Sequence, residues 1–382
     1  MEEHSAQFGV LGPLTLTVEG TPVSVGTPKQ RVVLAALLIN RNRVVGVDSL
    51  INAAWGDDAV AEARASVHVY VSNLRRLLAN AGIEDPRAVL QKAPPGYRFN
   101  IPDTALDLGR FISEKAAGVN AAAAGQFQKA TGHFSAALAQ WRGEFLEDLR
   151  GFDFVEAFAV ALMEDKIAVH LSRVQAEMAC GRAASVLGEL ETLVAANPYR
   201  EPLWAELMSA YYLSHRQSEA LDTFQRLKAI LADELGIDPN PAVRELHERV
   251  LRQEPLDIAR AAKQTAAQTL LSTRSSMFGA KSGFAQLREP SGRIHFLEGT
   301  ALRIGRLSDN DIVLSDPKIS RYHAVIIDTG TSYVINDAGS ANGVTLGNKR
   351  IQGSAALSHG DRIGIGDCQF TFEVCPTKPA EL

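Results

Sequence analysis

Cysteine is scarce. Cys180, Cys368 and Cys375 are the only three, widely scattered and without a CxxC pair. Such an odd, dispersed trio argues against a disulfide framework and a zinc site and fits a reducing cytoplasm. Long apolar runs are missing too: the longest, VVLAALLI from Val32 to Ile39, falls far short of the roughly 20 residues that cross a bilayer. The opening MEEHSAQFGV is acidic where a secretory leader carries cations, so a soluble cytoplasmic protein without membrane attachment is expected. Nor is there surplus positive charge. The formal net charge is −5, so any DNA contact must arise from local patterning.

Catalytic signatures are also wanting. GIGDCQF, from Gly364, starts like a dinucleotide loop but carries Gln369 where the third glycine belongs. GTPVSVGTPK lacks the P-loop spacing, no HExxH or GxSxG occurs, and the 9 histidines are dispersed. These absences predict a chain that binds rather than catalyses, with no metal and no organic cofactor.

What is present is a change of texture along 382 residues, a length that suggests two or three domains. Residues 1–103 mix short β-like runs with amphipathic helices. Residues 104–253 are rich in Ala and Leu with helical periodicity. Residues 284–382 are dominated by Gly, Val, Ile and strand-like alternation, as in HAVIIDT and SYVIND. Between the last two blocks, 254–283 lacks a firm apolar face and reads as a linker, helical at its start. The expected fold is multidomain α+β: a helix-rich N-terminal block ending in a hairpin, an all-α middle and an all-β C-terminal block.

In the middle block, AAAGQFQKA, MACGRAASV and YLSHRQSEA each join one helix end to the next start. Gly181 and His215 stand 34 residues apart, the period of tetratricopeptide helix pairs. An unrelated helical bundle fits the same pattern. Either surface suits binding a protein.

In the first block, ARASVHVYVSNLRRLLAN read as a helix puts Val67, Tyr70, Val71, Leu74, Leu77 and Leu78 on one face. His68, Val69, Ser72, Asn73, Arg75 and Arg76 take the other. Arg pairs with guanine, Asn with adenine, and an apolar group meets a thymine methyl. A plain solvated helix face fits as well. Context favours DNA: AVLQKAPPGYRFNIP follows as two β-like runs around a Pro-Pro-Gly turn, the order of a winged helix, with Lys92 and Arg98 on the wing. GTPKQRVVLAALL reads as a helix opening near Thr27 and Pro28, with Lys29 and Arg31 in a first turn suited to a phosphate. From Arg64 to Arg98, six basic residues face Glu84 and Asp85, a local +4; residues 1–63 carry four basic against seven acidic, −3.

These stretches, with LADELGIDPNPAVRELHERVL closing the middle block, resemble the Streptomyces antibiotic regulatory protein (SARP) family over roughly residues 8–253. The resemblance implies a winged-helix DNA-binding domain at 1–103 and, at 104–253, a bacterial transcriptional activation domain of tetratricopeptide-like helices.

The C-terminal block holds KISRYHAVIIDTG, which sets a hydroxyl, a cation and an imidazole at the mouth of a strand. A phosphate dianion needs several donors held rigidly, because desolvating it without partners is costly. Arg306 offers a charged fork, Ser320 an O–H, and Arg321 a backbone N–H or its own guanidinium. Gly305-Arg306, Ser320-Arg321-Tyr322-His323 and Asn342-Gly343, in this order between alternating strands, resemble the forkhead-associated (FHA) domain, a phosphothreonine-binding β-sandwich. The resemblance implies that Arg306, Ser320, Arg321 and Asn342 hold the phosphothreonine and adjacent main chain. Gly305, His323, Ser340 and Gly343 support the loops, His323 internally. The sequence departs from the family at Ala341, where a Ser or Thr often adds a donor; Ser340 stands next to it.

Together these readings predict a sequence-specific transcription regulator that binds promoter DNA and docks a threonine-phosphorylated partner. The resemblance implies a receptor Ser/Thr kinase as that partner, with RNA polymerase or a second protomer on the helical block. An interaction protein that occupies the kinase without activating transcription is the alternative.

Overall fold

The structure, a computed structural model, describes residues 6–56, 61–274, 284–297, 301–308, 310–328, 333–347, 349–351 and 353–375. Their contacts divide them into two units, one from residues 1–113, 139–165 and 270–382, the other from 114–138 and 166–269.

The first unit opens with an antiparallel sheet of β1 (Ala6–Gly9), β2 (Thr15–Val18) and β3 (Thr21–Val23). Helix α1 (Pro28–Ile39) follows, with Thr27 at its N-cap and Pro28 in the first turn, where a missing N–H forfeits no helical bond. The longest apolar run of the sequence is this helix. Val32 through Ile39 are all buried, as expected of a helix apolar on every side. β4 (Val44–Gly46) and α2 (Val47–Trp55) lead to α3 (Ala63–Asn80). Helix α3 buries Val67, Val71, Leu74 and Leu78, leaving Tyr70 and Leu77 half-buried on the same side. Each aliphatic side chain so removed from water stabilises by roughly 1.5–3 kcal/mol. After the short α4 (Pro86–Val89), strands β5 (Leu90–Ala93) and β6 (Gly96–Phe99) form the hairpin, with Lys92 opposite Tyr97 and Gln91 opposite Arg98. β4 completes this sheet in the order β4-β6-β5. Helices α1 to α3, then the single turn of α4 and a hairpin, make a winged helix.

Asp107 ties the N-terminal strand to the next block. Its buried carboxylate accepts the N–H groups of Val10, Leu11 and Leu108 and lies 3.2 Å from the Arg142 guanidinium. A charge this deep needs that full set of partners.

Asp107 opens α5 (Asp107–Ala123); α6 (Phe127–Leu138), α7 (Asp153–Ala179), α8 (Leu187–Ala196), α9 (Glu201–Leu213), α10 (Gln217–Leu235) and α11 (Pro241–Leu251) follow. In the second unit the internal repeat is visible in its helix ends. Gly125, Gly181 and His215 all have positive φ. After each, the next N–H reaches back to the carbonyl five residues earlier: Gln126 to Ala121, Arg182 to Glu177 and Arg216 to Tyr211. That is the same left-handed C-cap three times, and it satisfies carbonyls the helix end would otherwise strand. α9 packs against α8, α10 and α11, giving the tetratricopeptide-like stack.

The segment read as a linker is, over Ile258–Arg274, helix α12, with Ala262, Ala266 and Leu270 buried at a spacing of four. Its alternation of Ala with polar residues hid a narrow apolar stripe. Residues 275–283 lie outside the described residues.

The C-terminal part of the first unit is a β-sandwich of β7 (Phe284–Arg288), β8 (Ile294–Leu297), β9 (Ala301–Gly305), β10 (Ile312–Val313), β11 (Ala324–Asp328), β12 (Tyr333–Asp337), β13 (Val344–Leu346), β14 (Lys349–Arg350), β15 (Ser354–Leu357), β16 (Arg362–Ile365) and β17 (Cys368–Cys375). One sheet runs β10-β9-β11-β12-β15, the other β14-β13-β16-β17-β7-β8. Ile304, Ile326 and Ile335 from the first sheet and Ile363, Ile365, Phe370 and Phe372 from the second belong to one buried core. The alternation seen in the sequence is the strand pleat sending every second side chain inward.

Candidate phosphate pocket and candidate DNA-reading helix

Three sandwich loops meet beside Ser320. The one after β9 begins at Arg306, whose side chain is exposed while its N–H donates to the Ser320 carbonyl at 3.0 Å. The one before β11 carries Ser320 and Arg321, the latter also exposed. The one after β12 carries Ser340, Ala341 and Asn342. Ala341 N–H donates to Ser320 Oγ at 3.1 Å, and Asn342 Nδ2 donates to the Lys318 carbonyl at 2.7 Å, so the last two loops are laced together.

His323 sits beneath them with no exposed surface. Its Nδ1 accepts the Ser320 N–H at 3.1 Å, and Nε2 lies 3.1 Å from the Gly343 carbonyl. An acceptor Nδ1 requires the proton on Nε2, which donates to Gly343; the imidazole is consumed as a strut. Asn310, a buried residue without a sequence signal, does the same on the other side, donating to the Leu307 and Arg321 carbonyls at 2.9 Å each. Gly305 is required by close approach, since a Cβ there would overlap the Arg321 carbonyl oxygen. Gly343 has φ +78°, and a Cβ would strike the Arg350 guanidinium, which places that unpredicted cation at the pocket rim. Ser340 Oγ accepts the Gly343 N–H at 2.9 Å, so its acceptor side closes the turn. Asp316, whose carboxylate accepts the Lys318 N–H at 2.8 Å, is held below the usual carboxylate range by that bond and braces the segment leading to Ser320.

On α3 the expected DNA face divides. Ala65, His68, Val69, Ser72 and Arg76 are exposed; Asn73 and Arg75 are half-buried. Arg75 turns to the hairpin, donating through Nε and Nη2 to the Leu90 carbonyl at 2.9 and 2.7 Å and lying 5.7 Å from the Tyr97 ring centre. Tyr97, also unpredicted, shares a 2.6 Å hydrogen bond between its hydroxyl and His68 Nδ1, and burial raises its phenol pKa. His68 and Arg75, two turns apart, thus clamp the wing onto α3. Asn73 belongs to a relay: Gln30 Nε2 donates to the Val25 carbonyl at 2.9 Å, Asn73 Nδ2 to Gln30 Oε1 at 3.3 Å, and Arg76 Nη2 to Asn73 Oδ1 at 3.1 Å. The relay aims Arg76 outward, beside a cleft of about 500 Å³ lined in part by Ser24, Gly26 and Asn80.

The remaining expected contacts differ in availability. Lys92 is exposed on β5. Arg98 is half-buried, with Nε shielded from solvent. Lys29 lies 4.4 Å from the centre of the Trp55 ring, itself stacked on Tyr70. Arg31 is ion-paired with Asp148, a partner 117 residues away that no local pattern could reveal. The winged helix also meets the sandwich within the first unit: Arg43 bonds the Ala301 carbonyl and lies 3.8 Å from Asp311, and Arg303 bonds Ser49.

Three described families match the chain: "Transcriptional regulatory protein, C terminal" over residues 20–99, "Bacterial transcriptional activator domain" over 106–251 and "FHA domain" over 302–366. The chain is 57% identical over 374 residues to Transcriptional regulatory protein EmbR of Mycobacterium tuberculosis, covering 97% of this chain and 96% of that one. It is 36% identical over 272 residues to Regulatory protein AfsR of Streptomyces coelicolor, covering 70% of this chain and 27% of AfsR. Its structure matches that of Mycobacterium tuberculosis EmbR in complex with a low affinity phosphopeptide at a TM-score of 0.89, with 56% identity and coverage of 98% of this chain and 100% of that one. Among the described residues no helix is long and apolar enough to cross a membrane. The chain belongs to the EmbR family of transcriptional regulators, relatives of the SARP regulators that carry an FHA domain.

Proposed function

We propose that this protein binds promoter DNA through the exposed ridge of α3 and the β5–β6 wing and docks a threonine-phosphorylated protein in the pocket at Ser320. The observation that carries the reading is the lacing of two loops by Ala341–Ser320 and Asn342–Lys318 over a buried His323, with the exposed Arg306 side chain on the adjoining loop. The lacing leaves the Ser320 O–H, the second N–H of the Asn342 amide and the exposed Arg306 guanidinium as donors beside one another, a set suited to a phosphate dianion. The solved relative in complex with a phosphopeptide supports the same ligand class here. A receptor Ser/Thr kinase on the cytoplasmic side is the partner class, and the helical block is the surface for RNA polymerase or a second protomer. On α3 the working set is Arg76, Ser72 and Val69, with Lys92 on the wing; Arg75 and His68 position the wing.

Two titrations of the full chain test the reading. A phosphothreonine peptide should bind in calorimetry while its unphosphorylated form does not; equal binding of both rejects the pocket. On a randomised duplex library at two salt concentrations, Arg76→Ala should blur preference at one base pair by roughly 1–3 kcal/mol. Lys92→Ala should weaken all sequences alike and reduce the salt slope by about one. A parent chain that prefers no sequence while binding the phosphopeptide would favour the kinase-occupying alternative.

A further inference from the structure

Val69 is the anomaly on α3. It is 55% exposed, one of the few large apolar side chains left in solvent among the described residues. A β-branched residue is also a poor choice for an exposed helix position, where straight-chain residues lose less rotamer freedom. Neither packing nor helix propensity accounts for it. Its neighbours are informative: at 100° per residue, Ala65, Val69, Ser72 and Arg76 lie within an arc of roughly 60°, and all four are exposed. The hydroxyl of Ser72 donates to the His68 carbonyl at 3.0 Å, which leaves it only as an acceptor, and Arg76 donates to Asn73. The N-terminal half of the ridge is therefore apolar, made of Ala65 and Val69, with Ser72 and the Arg76 guanidinium toward its C-terminal side.

We infer that Val69 is a specificity-determining residue that reads the 5-methyl group of thymine, with Ala65 extending the same apolar strip. This rests on the DNA-reading role of α3 proposed above. The chemistry favours one base: among the groups base pairs display in the major groove, thymine's 5-methyl is the one apolar group that projects, cytosine offering only a C5–H at that place and the rest being hydrogen-bond donors and acceptors. A valine pressed against a donor or acceptor would strip its water and return nothing. Against a methyl, both surfaces leave water together. The helix rotamer of valine is stiff, so its methyl groups are presented in one arrangement without ordering cost.

The experiment begins with a duplex selected by the full chain from a random library. Each thymine of that duplex is then replaced in turn by deoxyuridine, which keeps the base pair and deletes the methyl. Binding should weaken about fourfold at one or two thymines, the factor for burying one methyl-sized group, and stay unchanged elsewhere. Val69→Ala should bind the thymine duplex more weakly by a similar factor and become indifferent to deoxyuridine at that position, whereas Val69→Ile should keep the parent's sensitivity. A parent that tolerates deoxyuridine everywhere overturns the inference while leaving α3 as the reader. So does a Val69→Ala variant as sensitive as the parent. Selection that yields no preferred sequence overturns the DNA reading and this inference with it.

Discussion

Replacing His323 and replacing Arg306 should damage the pocket in opposite ways. His323→Ala removes a side chain that bonds the Ser320 N–H and the Gly343 carbonyl at 3.1 Å each. Each orphaned group costs about 1–3 kcal/mol where it stays dry, and the vacated space adds a cavity cost. A loss of about 3–5 kcal/mol in sandwich stability follows, a large share of the 5–15 kcal/mol typical of a domain. Arg306→Ala deletes an exposed guanidinium, and the residue's N–H still reaches the Ser320 carbonyl. Stability should move by no more than about 0.5 kcal/mol. Its phosphothreonine affinity should fall by about 1.5–3 kcal/mol, roughly 10- to 150-fold, the range for hydrogen bonds to charged groups. Calorimetric unfolding gives the first quantity and phosphopeptide titration the second. The reasoning fails if His323→Ala unfolds with the parent and binds as well as the parent. It fails equally if Arg306→Ala is as destabilised as His323→Ala.

Two further outcomes follow from single side chains. Ala341→Ser should tighten phosphopeptide binding by about 1.5–3 kcal/mol, because Ala341 is exposed and its N–H already touches Ser320 Oγ, so a hydroxyl there joins the same donor cluster; unchanged affinity would mean that another donor fills the place. The half-buried Glu206 accepts a hydrogen bond from Gln175 at 2.6 Å, and desolvation of its carboxyl pushes it from 4.5 up to about 7. The folded chain then holds this proton more tightly than the unfolded one. The contribution of this one group to stability is full below pH 4.5 and is lost as pH rises through about 7, by about 3 kcal/mol at most. Glu206→Gln mimics the protonated acid and should raise the unfolding temperature at pH 8 but not at pH 4; parallel pH profiles would refute the assignment.

Some of this was legible in the sequence because the determining forces are local or periodic. Val67, Val71, Leu74 and Leu78 repeat at helical spacing, and that repeat alone fixes which side of α3 is inward. The repeated C-caps at Gly125, Gly181 and His215 were visible as turn sequences because the left-handed position sits at one fixed offset from the helix end. Period, however, separates inside from outside and says nothing about what an outward side chain will find. Arg75 and Arg76 are adjacent and look alike in sequence. One bonds the Leu90 carbonyl because the hairpin packs back on α3; the other points to solvent because Gln30, from a helix 43 residues earlier, holds Asn73 beneath it. Arg31 was equally opaque, since its partner Asp148 arrives from another block.

The pocket residues escaped that ambiguity for a physical reason. A histidine three residues after a serine, both in one loop, can close on the Ser320 N–H without help from distant chain, so its spacing carries its geometry. The far end of the same imidazole lies at the carbonyl of Gly343, whose left-handed φ of +78° disfavours any other residue. A motif is readable when each member's partner lies on the motif itself, and a charged helix face is not, because its partners lie elsewhere. By that criterion Val69 is read from its position and not from a partner: it is 55% exposed on the ridge it shares with Ala65, Ser72 and Arg76, and the deoxyuridine experiment decides what it meets.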